Sequence, residues 1–264
     1  VTPGGSLYFS ADDGIHGKEL WKSDGTEAGT VMVKDINTNN DPDGLSLLNS
    51  SYPSSLTVIG ETVYFFAWDG KLDNNAVSPN WEFDLWKSDG IEQNTVKVKD
   101  IPHFPFLGTA TMSSIIADMN NMIYFFTYDG MKWALWKSDG TEEGTVLIKN
   151  LSTNSIDSDF LAGTAKILYF VNDSRLWRTD GTETGTYMVT DMRPLLSVSL
   201  SASTAVLNEV LYFSADDGKH GAELWRSDGT KDGTYLFKDI NTDPNSGSSG
   251  PGDFITVNET FYFT

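Results

Sequence analysis

The chain has 264 residues, 39% of them hydrophobic, which is enough to bury a sizeable core. Its 18 lysines and arginines against 37 aspartates and glutamates give a net charge of −19, which argues against nucleic acid or an anionic membrane as a partner. The absence of cysteine excludes disulfides and thiolate metal sites, and no apolar run approaches the roughly 18 residues of a membrane span.

A short aromatic strand, named strand b here, recurs in every unit of the chain. Its copies share a tyrosine between apolar residues, and continuous apolar triplets are typical of strands buried on both faces. The six copies are centred on Tyr8, Tyr64, Tyr124, Tyr169, Tyr212 and Tyr262. These tyrosines lie 56, 60, 45, 43 and 50 residues apart, so the chain is an internal repeat.

Three further strands complete the unit. Strand c carries a Leu-Trp pair, and its tryptophans are predicted to be a buried anchor repeated in every unit: Trp21, Trp86, Trp136, Trp177 and Trp225. Strand d alternates apolar and polar residues, as in Thr30 to Ile36, which is typical of a half-exposed strand. Strand a is the apolar segment before strand b, as in Leu56 to Ile59.

Turns of defined chemistry join these strands. The first and fifth units carry an Asp-Asp-Gly-x-His-Gly hairpin between strands b and c, at Asp12 to Gly17 and at Asp216 to Gly221. Between strands c and d runs Asp-Gly-Thr-x-x-Gly-Thr, where glycine supplies positive φ and the aspartate and threonine side chains bond amides of the loop. We therefore expect Asp24 and its equivalents to form turns rather than to bind ligands.

Four short strands in each unit of roughly 40–50 residues are typical of propeller blades. One such sheet cannot bury both of its faces, whereas sheets stacked around an axis cover one another. The sequence therefore predicts an all-β protein: a single β-propeller domain over residues 1–264, with four-stranded antiparallel blades. It holds five repeats and the start of a sixth, so six blades with a truncated record are favoured and five are the alternative.

The residues of the repeat resemble a family named for the motif Glu-Leu-Trp-x-x-Asp-Gly-Thr (ELWxxDGT). The first and fifth units match it nearly throughout, from Leu7 to Asn37 and from Leu211 to Asn241. The second unit departs from it, with Ile91 in place of threonine and Asn94 in place of glycine. The resemblance implies a propeller-like β protein, usually secreted or on a surface, with no known catalytic residues.

Aromatic residues outside the repeat positions concentrate in the second and third units, whose spacings are the longest. Apolar residues in inserted loops indicate a ligand groove or an interface, and the alternative is a local core that packs the inserts onto the blade edge. The candidate ligand-binding residues are Trp68, Trp81, Phe83, Phe104, Phe106, Tyr128 and Trp133.

A calcium site is a further hypothesis. Asn39, Asp41 and Asp43 have the two-residue spacing of an oxygen-ligand loop. Ser50 stands where such a loop carries its glutamate, and two solvated loops between blades are the alternative.

Sequons permit N-glycosylation of a secreted protein at Asn49, Asn150, Asn172 and Asn258. His16 and His220 occupy one repeat position, which explains them better than catalysis does. No catalytic residue is predicted.

These features favour a binding protein over an enzyme. The leading hypothesis is a non-enzymatic, extracellular propeller that holds a glycan, or an apolar conjugated molecule such as a carotenoid-like pigment, between aromatic side chains. The alternative is a structural or adhesive protein that associates with its own copies through the aromatic patch. The cofactor is unknown, with an apolar chromophore and calcium as candidates, and neither a nucleic-acid partner nor a membrane span is expected.

Overall fold

The structure, a computed structural model, describes residues 5–39, 49–71, 83–101, 117–128, 132–151, 159–191, 193–194, 204–243 and 247–264. These residues form antiparallel sheets, and their single helical element is a 3-10 turn at Glu92–Asn94. No helix within these ranges has the length and apolar character needed to cross a membrane.

The chain divides into two compact units, residues 1–147 and 148–264, with the boundary inside the last strand of the third repeat. The first repeat forms a three-stranded sheet of β1 (Leu7–Asp12), β2 (Lys18–Ser23) and β3 (Val31–Lys34). The second forms a four-stranded sheet of β4 (Ser54–Ile59), β5 (Thr62–Trp68), β6 (Phe83–Ser88) and β7 (Val96–Lys99). The third forms a sheet of β8 (Ala117–Met119), β9 (Met122–Tyr128), β10 (Trp133–Ser138) and β11 (Val146–Leu151).

The second compact unit, residues 148–264, continues the pattern of the repeats. The fourth repeat forms β12 (Asp159–Gly163), β13 (Leu168–Asn172), β14 (Arg175–Thr179) and β15 (Tyr187–Thr190). In the fifth, β16 (Arg193–Pro194) and β17 (Thr204–Leu207) both pair with β18 (Val210–Asp216), followed by β19 (Ala222–Ser227) and β20 (Tyr235–Lys238). A last hairpin pairs β21 (Ile255–Val257) with β22 (Thr260–Tyr262).

This strand order confirms the predicted all-β, propeller-like fold of four-stranded antiparallel sheets. Each complete sheet runs a, b, c, d in chain order, and a phenylalanine of strand b always faces the tryptophan of strand c, as Phe65 faces Trp86. The number of blades and the single domain over residues 1–264 stay predictions.

Neighbouring sheets share their cores within each unit. Leu20 and Val33 of the first sheet pack in one cluster with Val63, Phe65 and Trp86 of the second. In the second unit, side chains of the fourth and fifth sheets form a corresponding cluster. The anchor tryptophans are buried or partly buried in all five repeats, as expected for a stack in which each sheet covers the next.

The turn between strands c and d is held by its own side chains. Oδ1 of Asp24 accepts hydrogen bonds from the amide of Thr26 at 2.9 Å and from its hydroxyl at 2.7 Å. A Cβ added to Gly29 would collide with the same carboxylate, which explains the second glycine of the motif. Asp139, Asp180 and Asp228 repeat these contacts, so the prediction that this aspartate forms the turn is confirmed.

Candidate functional site

The repeats differ in the last residue pair between strands b and c, which lies next to the hairpin loop. In the first and fifth repeats this pair is Asp12 with Lys18 and Asp216 with Ala222. In the second and third repeats it is aromatic: Trp68 with Phe83, and Tyr128 with Trp133. Aromatic pairs are strong cross-strand contacts, so these two hairpins have an apolar base where the first and fifth begin with an acidic residue and the fourth pairs Asn172 with Arg175.

The tryptophans of these pairs lie inside the protein. Trp68 is 1% exposed and donates its indole N–H to the carbonyl of Lys71 at 3.0 Å, while Trp133 is 7% exposed. Phe83 is partly buried. A ligand cannot stack on the ring of Trp68 or Trp133 in this arrangement, which supports the local-core alternative for these two residues.

The structure describes only some of the remaining predicted site residues. Trp81, Phe104 and Phe106 lie outside the described residues, as do Asp41 and Asp43, and Tyr128 is placed by its strand backbone alone. Asn39 donates its side-chain amide to the carbonyl of Gly70 at 2.6 Å, so it supports the second hairpin. Within the described ranges, no three acidic, histidine or cysteine side chains are grouped to hold a metal ion.

A partly buried lysine at the base of the second hairpin was missed by the sequence reasoning. Nζ of Lys97 lies 3.0 Å from Asp69, 2.9 Å from Asp84 and 2.5 Å from Asp100. Burial alone would lower the pKa of Lys97, but these carboxylates raise it above its ordinary value. Lys97 therefore stays charged. From β7 it ties Asp69 of the hairpin loop to Asp84 on β6 and to Asp100 just after β7. The signal was a lysine where the first repeat has Met32.

The glutamate of the Glu-Leu-Trp motif is a buried clamp. Oε2 of Glu19 accepts a hydrogen bond from the amide of Ile36 at 2.9 Å, and Oε1 accepts one from the amide of Ser51 at 2.9 Å. The hydroxyl of Ser51 also donates to Oε2, at 2.5 Å. Glu223 makes equivalent bonds with Ile240 and Ser249. The glutamate thus joins strand c to the end of strand d and to the segment that enters the next sheet.

The surroundings of Glu19 change its titration. Desolvation by burial is the largest influence and raises its pKa to about 7, against hydrogen bonds that lower it and with the charge of Asp35 adding to the rise. Desolvation also acts on Glu223, but there the hydrogen bonds from Ile240, Ser249 and Asn241 prevail and lower the pKa.

We expect Glu19 to make the protein less stable as the pH rises. The folded pKa of about 7 lies above the ordinary 4.5, so the folded state holds the proton more tightly and ionisation opposes folding. The contribution is therefore most favourable below pH 4.5 and declines by about 3 kcal/mol as the pH rises from 4.5 through 7. Urea unfolding at pH 5 and pH 8 should show this decline in the wild type and a smaller one in Glu19→Gln. An unchanged decline in the variant would contradict the assignment to Glu19.

The histidines of the hairpins act as turn residues. Nδ1 of His16 lies 2.7 Å from Oδ2 of Asp13, whose other oxygen accepts the amides of Ile15 and His16. These bonds lower the pKa of Asp13 to about 2, and the side-chain bond to Asp13 raises that of His16. His220 and Asp217 repeat the pair, at 2.9 Å.

The four sequons differ in accessibility. Asn150 and Asn258 are exposed, and Asn49 is partly buried and donates to the carbonyl of Ile15 at 3.1 Å. Asn172 is 1% exposed inside β13, so its side chain is not accessible in the folded protein.

The anchor tryptophan of the third repeat makes a hydrogen bond through its indole N–H. Nε1 of Trp136 donates to the hydroxyl of Thr127 at 3.0 Å. The residue at the same register is Ala11 in the first repeat, where the buried indole N–H of Trp21 has no partner among the described residues.

We expect Ala11→Thr to be more stable than Ala11→Val by about 1 kcal/mol, because only threonine offers Trp21 an acceptor. Thr127→Val should lose about 1–2 kcal/mol, because it leaves the indole N–H of Trp136 buried and unpaired. Urea unfolding of the three variants checks both values. Equal stability of the two Ala11 variants would contradict the role of the hydroxyl.

Comparisons with known proteins support the fold alone. No family model and no curated protein matches the chain. A puromycin hydrolase structure aligns with 86% of this chain at 14% identity and a TM-score of 0.51. This chain spans 36% of that protein's length. A puromycin-hydrolyzing peptidase of Mycobacterium tuberculosis aligns over 85% of this chain and 36% of its own, at 11% identity and a TM-score of 0.48. An alpha-L-arabinofuranosidase of Clostridium thermocellum aligns over 83% and 82%, at 14% identity and a TM-score of 0.29.

Proposed function

We propose that this chain is a non-enzymatic binding module whose ligand contacts the b–c hairpin end of the second and third repeats. The observation that carries the proposal is the replacement of the polar hairpin pairs by Trp68 with Phe83 and by Tyr128 with Trp133. Positions at which a sequence departs from its own pattern are where functional or strained sites are expected.

The connections at this end supply the ligand contacts. Residues 72–82 join β5 to β6, and residues 102–116 lie between β7 and β8, at the end of the second sheet where Trp68 and Phe83 lie. These two segments carry Trp81, Phe104 and Phe106. The buried Trp68 and Trp133 and the ion cluster of Lys97 give this end of the two sheets a rigid base, which a binding site requires.

The expected ligand is neutral and stacks on aromatic rings. The net charge of −19 disfavours an anionic ligand. A glycan and an apolar conjugated molecule both meet these conditions, and visible absorbance of the purified protein separates them: a coloured preparation favours the pigment, and a colourless preparation that binds a glycan array favours the glycan.

A non-catalytic and extracellular role is part of the proposal. The aspartate and histidine side chains of the first and fifth hairpins bond their own turns, which is a structural use of the residues that an active site would need. Mapping of glycans on Asn150 and Asn258 in a eukaryotic expression host tests whether these exposed sequons are accessible to the secretory pathway.

The proposal is tested by shortening the second hairpin. Replacement of residues 72–82 by His-Gly, the dipeptide that closes the first hairpin, should keep the fold and lower ligand affinity at least tenfold. Ile15→Ala removes an exposed apolar side chain from the first hairpin and is the matched control, which should leave affinity unchanged. Retention of full affinity by the shortened variant would overturn the proposal.

A further inference from the structure

The c–d turn of the second repeat is built differently from the other four. Those four read Asp-Gly-Thr-x-x-Gly-Thr, whereas Ile91 and Asn94 replace the threonine and the second glycine here. Oδ1 of Asp89 still accepts a hydrogen bond from the amide of Ile91, at 2.9 Å, but Oδ2 accepts one from the side-chain amide of Asn94, at 2.6 Å. The asparagine therefore does for Asp89 what the threonine hydroxyl does in the other turns.

The altered turn borders a cavity of about 360 Å³ on one face of the second sheet. Tyr64 and Lys87, which are cross-strand partners and half-buried, form its floor. Asp89, Gln93 and Asn94, which are exposed, form its rim. The lining residues that the structure describes all belong to the second repeat, so the cavity lies within one compact unit. Its volume is at the lower end of the roughly 300–1,000 Å³ that is typical of small-molecule sites.

The neighbouring sheets fix the shape of the cavity. Nζ of Lys87 donates to the carbonyl of Gly140 in the third sheet at 2.8 Å, and a Cβ added to Gly140 would lie 2.5 Å from the hydroxyl of Tyr64. The turn itself is held by the first sheet, because Nζ of Lys22 donates to the carbonyl of Gly90 at 2.8 Å. A site that is already shaped before its ligand arrives loses less free energy to ordering on binding.

The groups around the cavity suit a neutral ligand with several hydroxyls. The amide of Gln93 offers donors and an acceptor, and Asn94 has an N–H and its carbonyl oxygen beyond its bond to Asp89. The opposite charges of Lys87 and Asp89 balance, so the site favours neither an anion nor a cation. A sugar hydroxyl both donates and accepts hydrogen bonds, and the ring of Tyr64 offers an apolar surface to the C–H groups of a sugar.

We propose that this cavity binds one sugar unit, through the amides of Gln93 and Asn94. It is a second site, at the opposite end of the second sheet from the aromatic hairpin. Val63 pairs with Ser88 at the turn end of that sheet, whereas Trp68 pairs with Phe83 at the hairpin end. The two sites therefore bind their ligands independently.

Ligand-observed NMR with the methyl glycosides of glucose, galactose, mannose and N-acetylglucosamine tests the binding. At least one of the four should bind the wild type with a dissociation constant of about 1–10 mM, because a small ligand in a shallow site makes few contacts. A wild type that binds none of the four overturns the proposal.

Rebuilding the second turn tests the site. Three substitutions made together, Ile91→Thr, Gln93→Ala and Asn94→Gly, give this turn the sequence of the first turn, which the chain already folds. The triple variant should unfold in urea as the wild type does. It should bind the glycoside about tenfold more weakly or worse, because both amides of the rim are gone.

Two further variants separate this site from the rest of the protein. Asp232→Ala is the matched control, because Asp232 is exposed and holds the position of Gln93 in the fifth turn, and it should leave affinity unchanged. Binding should persist when residues 72–82 are replaced by His-Gly, and the three turn substitutions should weaken it there as well. This result does not depend on what the aromatic hairpin binds. Full affinity in the triple variant, or a loss of binding when the hairpin alone is shortened, overturns the proposal.

Discussion

Gly90→Ala is expected to lower the free energy of unfolding by about 3–5 kcal/mol, against about 1–2 kcal/mol for Gly25→Ala. Both glycines have positive φ, at +86° and +90°, so both substitutions carry the same backbone strain. Only at Gly90 does the new methyl group meet a side chain, the hydroxyl of Tyr8 in the neighbouring sheet. The difference between the variants therefore measures the contact between sheets.

Urea unfolding followed by tryptophan fluorescence gives both values. Gly14→Ala, in an open hairpin with φ +80°, is a second control for backbone strain and should match Gly25→Ala. If Gly90→Ala lowers the free energy of unfolding no more than Gly25→Ala and Gly14→Ala do, Tyr8 does not hold the turn at Gly90.

Glu19→Ala is expected to lower the free energy of unfolding by about 3–5 kcal/mol at pH 5. The substitution leaves the amides of Ile36 and Ser51, and the hydroxyl of Ser51, without the acceptor they share inside the protein. It also weakens the link between the first sheet and the segment that enters the second, which then depends on the backbone bonds of Ser51 and Tyr52 to Lys18.

The matched control is Glu27→Ala in the exposed c–d turn, which should change stability by less than about 0.5 kcal/mol. A loss below about 1 kcal/mol in Glu19→Ala would show that the buried carboxylate does not act as a clamp. Urea unfolding of Glu19→Ala and Glu27→Ala at pH 5 measures both changes in stability.

The strand order and the turns could be predicted because they depend on neighbours in sequence. Asp24 bonds residues two positions away, and the Leu-Trp and Tyr-Phe triplets are short apolar runs that recur at regular spacing. Local chemistry of this kind repeats wherever the residues repeat, so five copies reinforced one interpretation.

The contacts between distant segments could not be predicted in the same way. Glu19 meets Ser51, which is 32 residues away, and Lys22 meets Gly90 in the next sheet, 68 residues away. Both depend on how one sheet lies against the next, which the repeat spacing does not specify. A signal for the first was present as a serine two residues before a proline, at Ser51 and again at Ser249.

The candidate site was anticipated by region rather than by residue. The excess of aromatic residues in the second and third repeats identified the two hairpins whose last residue pair is aromatic. Composition could not separate a ring that packs beneath a hairpin from one that meets a ligand, and Trp68 and Trp133 are of the first kind. The charged cluster of Lys97 depends on three acidic residues spread over the sequence, which no local pattern links.

A double-mutant cycle on Tyr8 and Gly90 tests most directly whether neighbouring sheets are held by a tyrosine hydroxyl over a bare glycine. Tyr8→Phe removes the oxygen that the methyl group of Gly90→Ala would overlap. The double variant should then be more stable than the sum of the single changes predicts, with a coupling energy above about 1 kcal/mol. Additive effects, with coupling below about 0.3 kcal/mol, would contradict this contact and with it the account of how the repeats are joined.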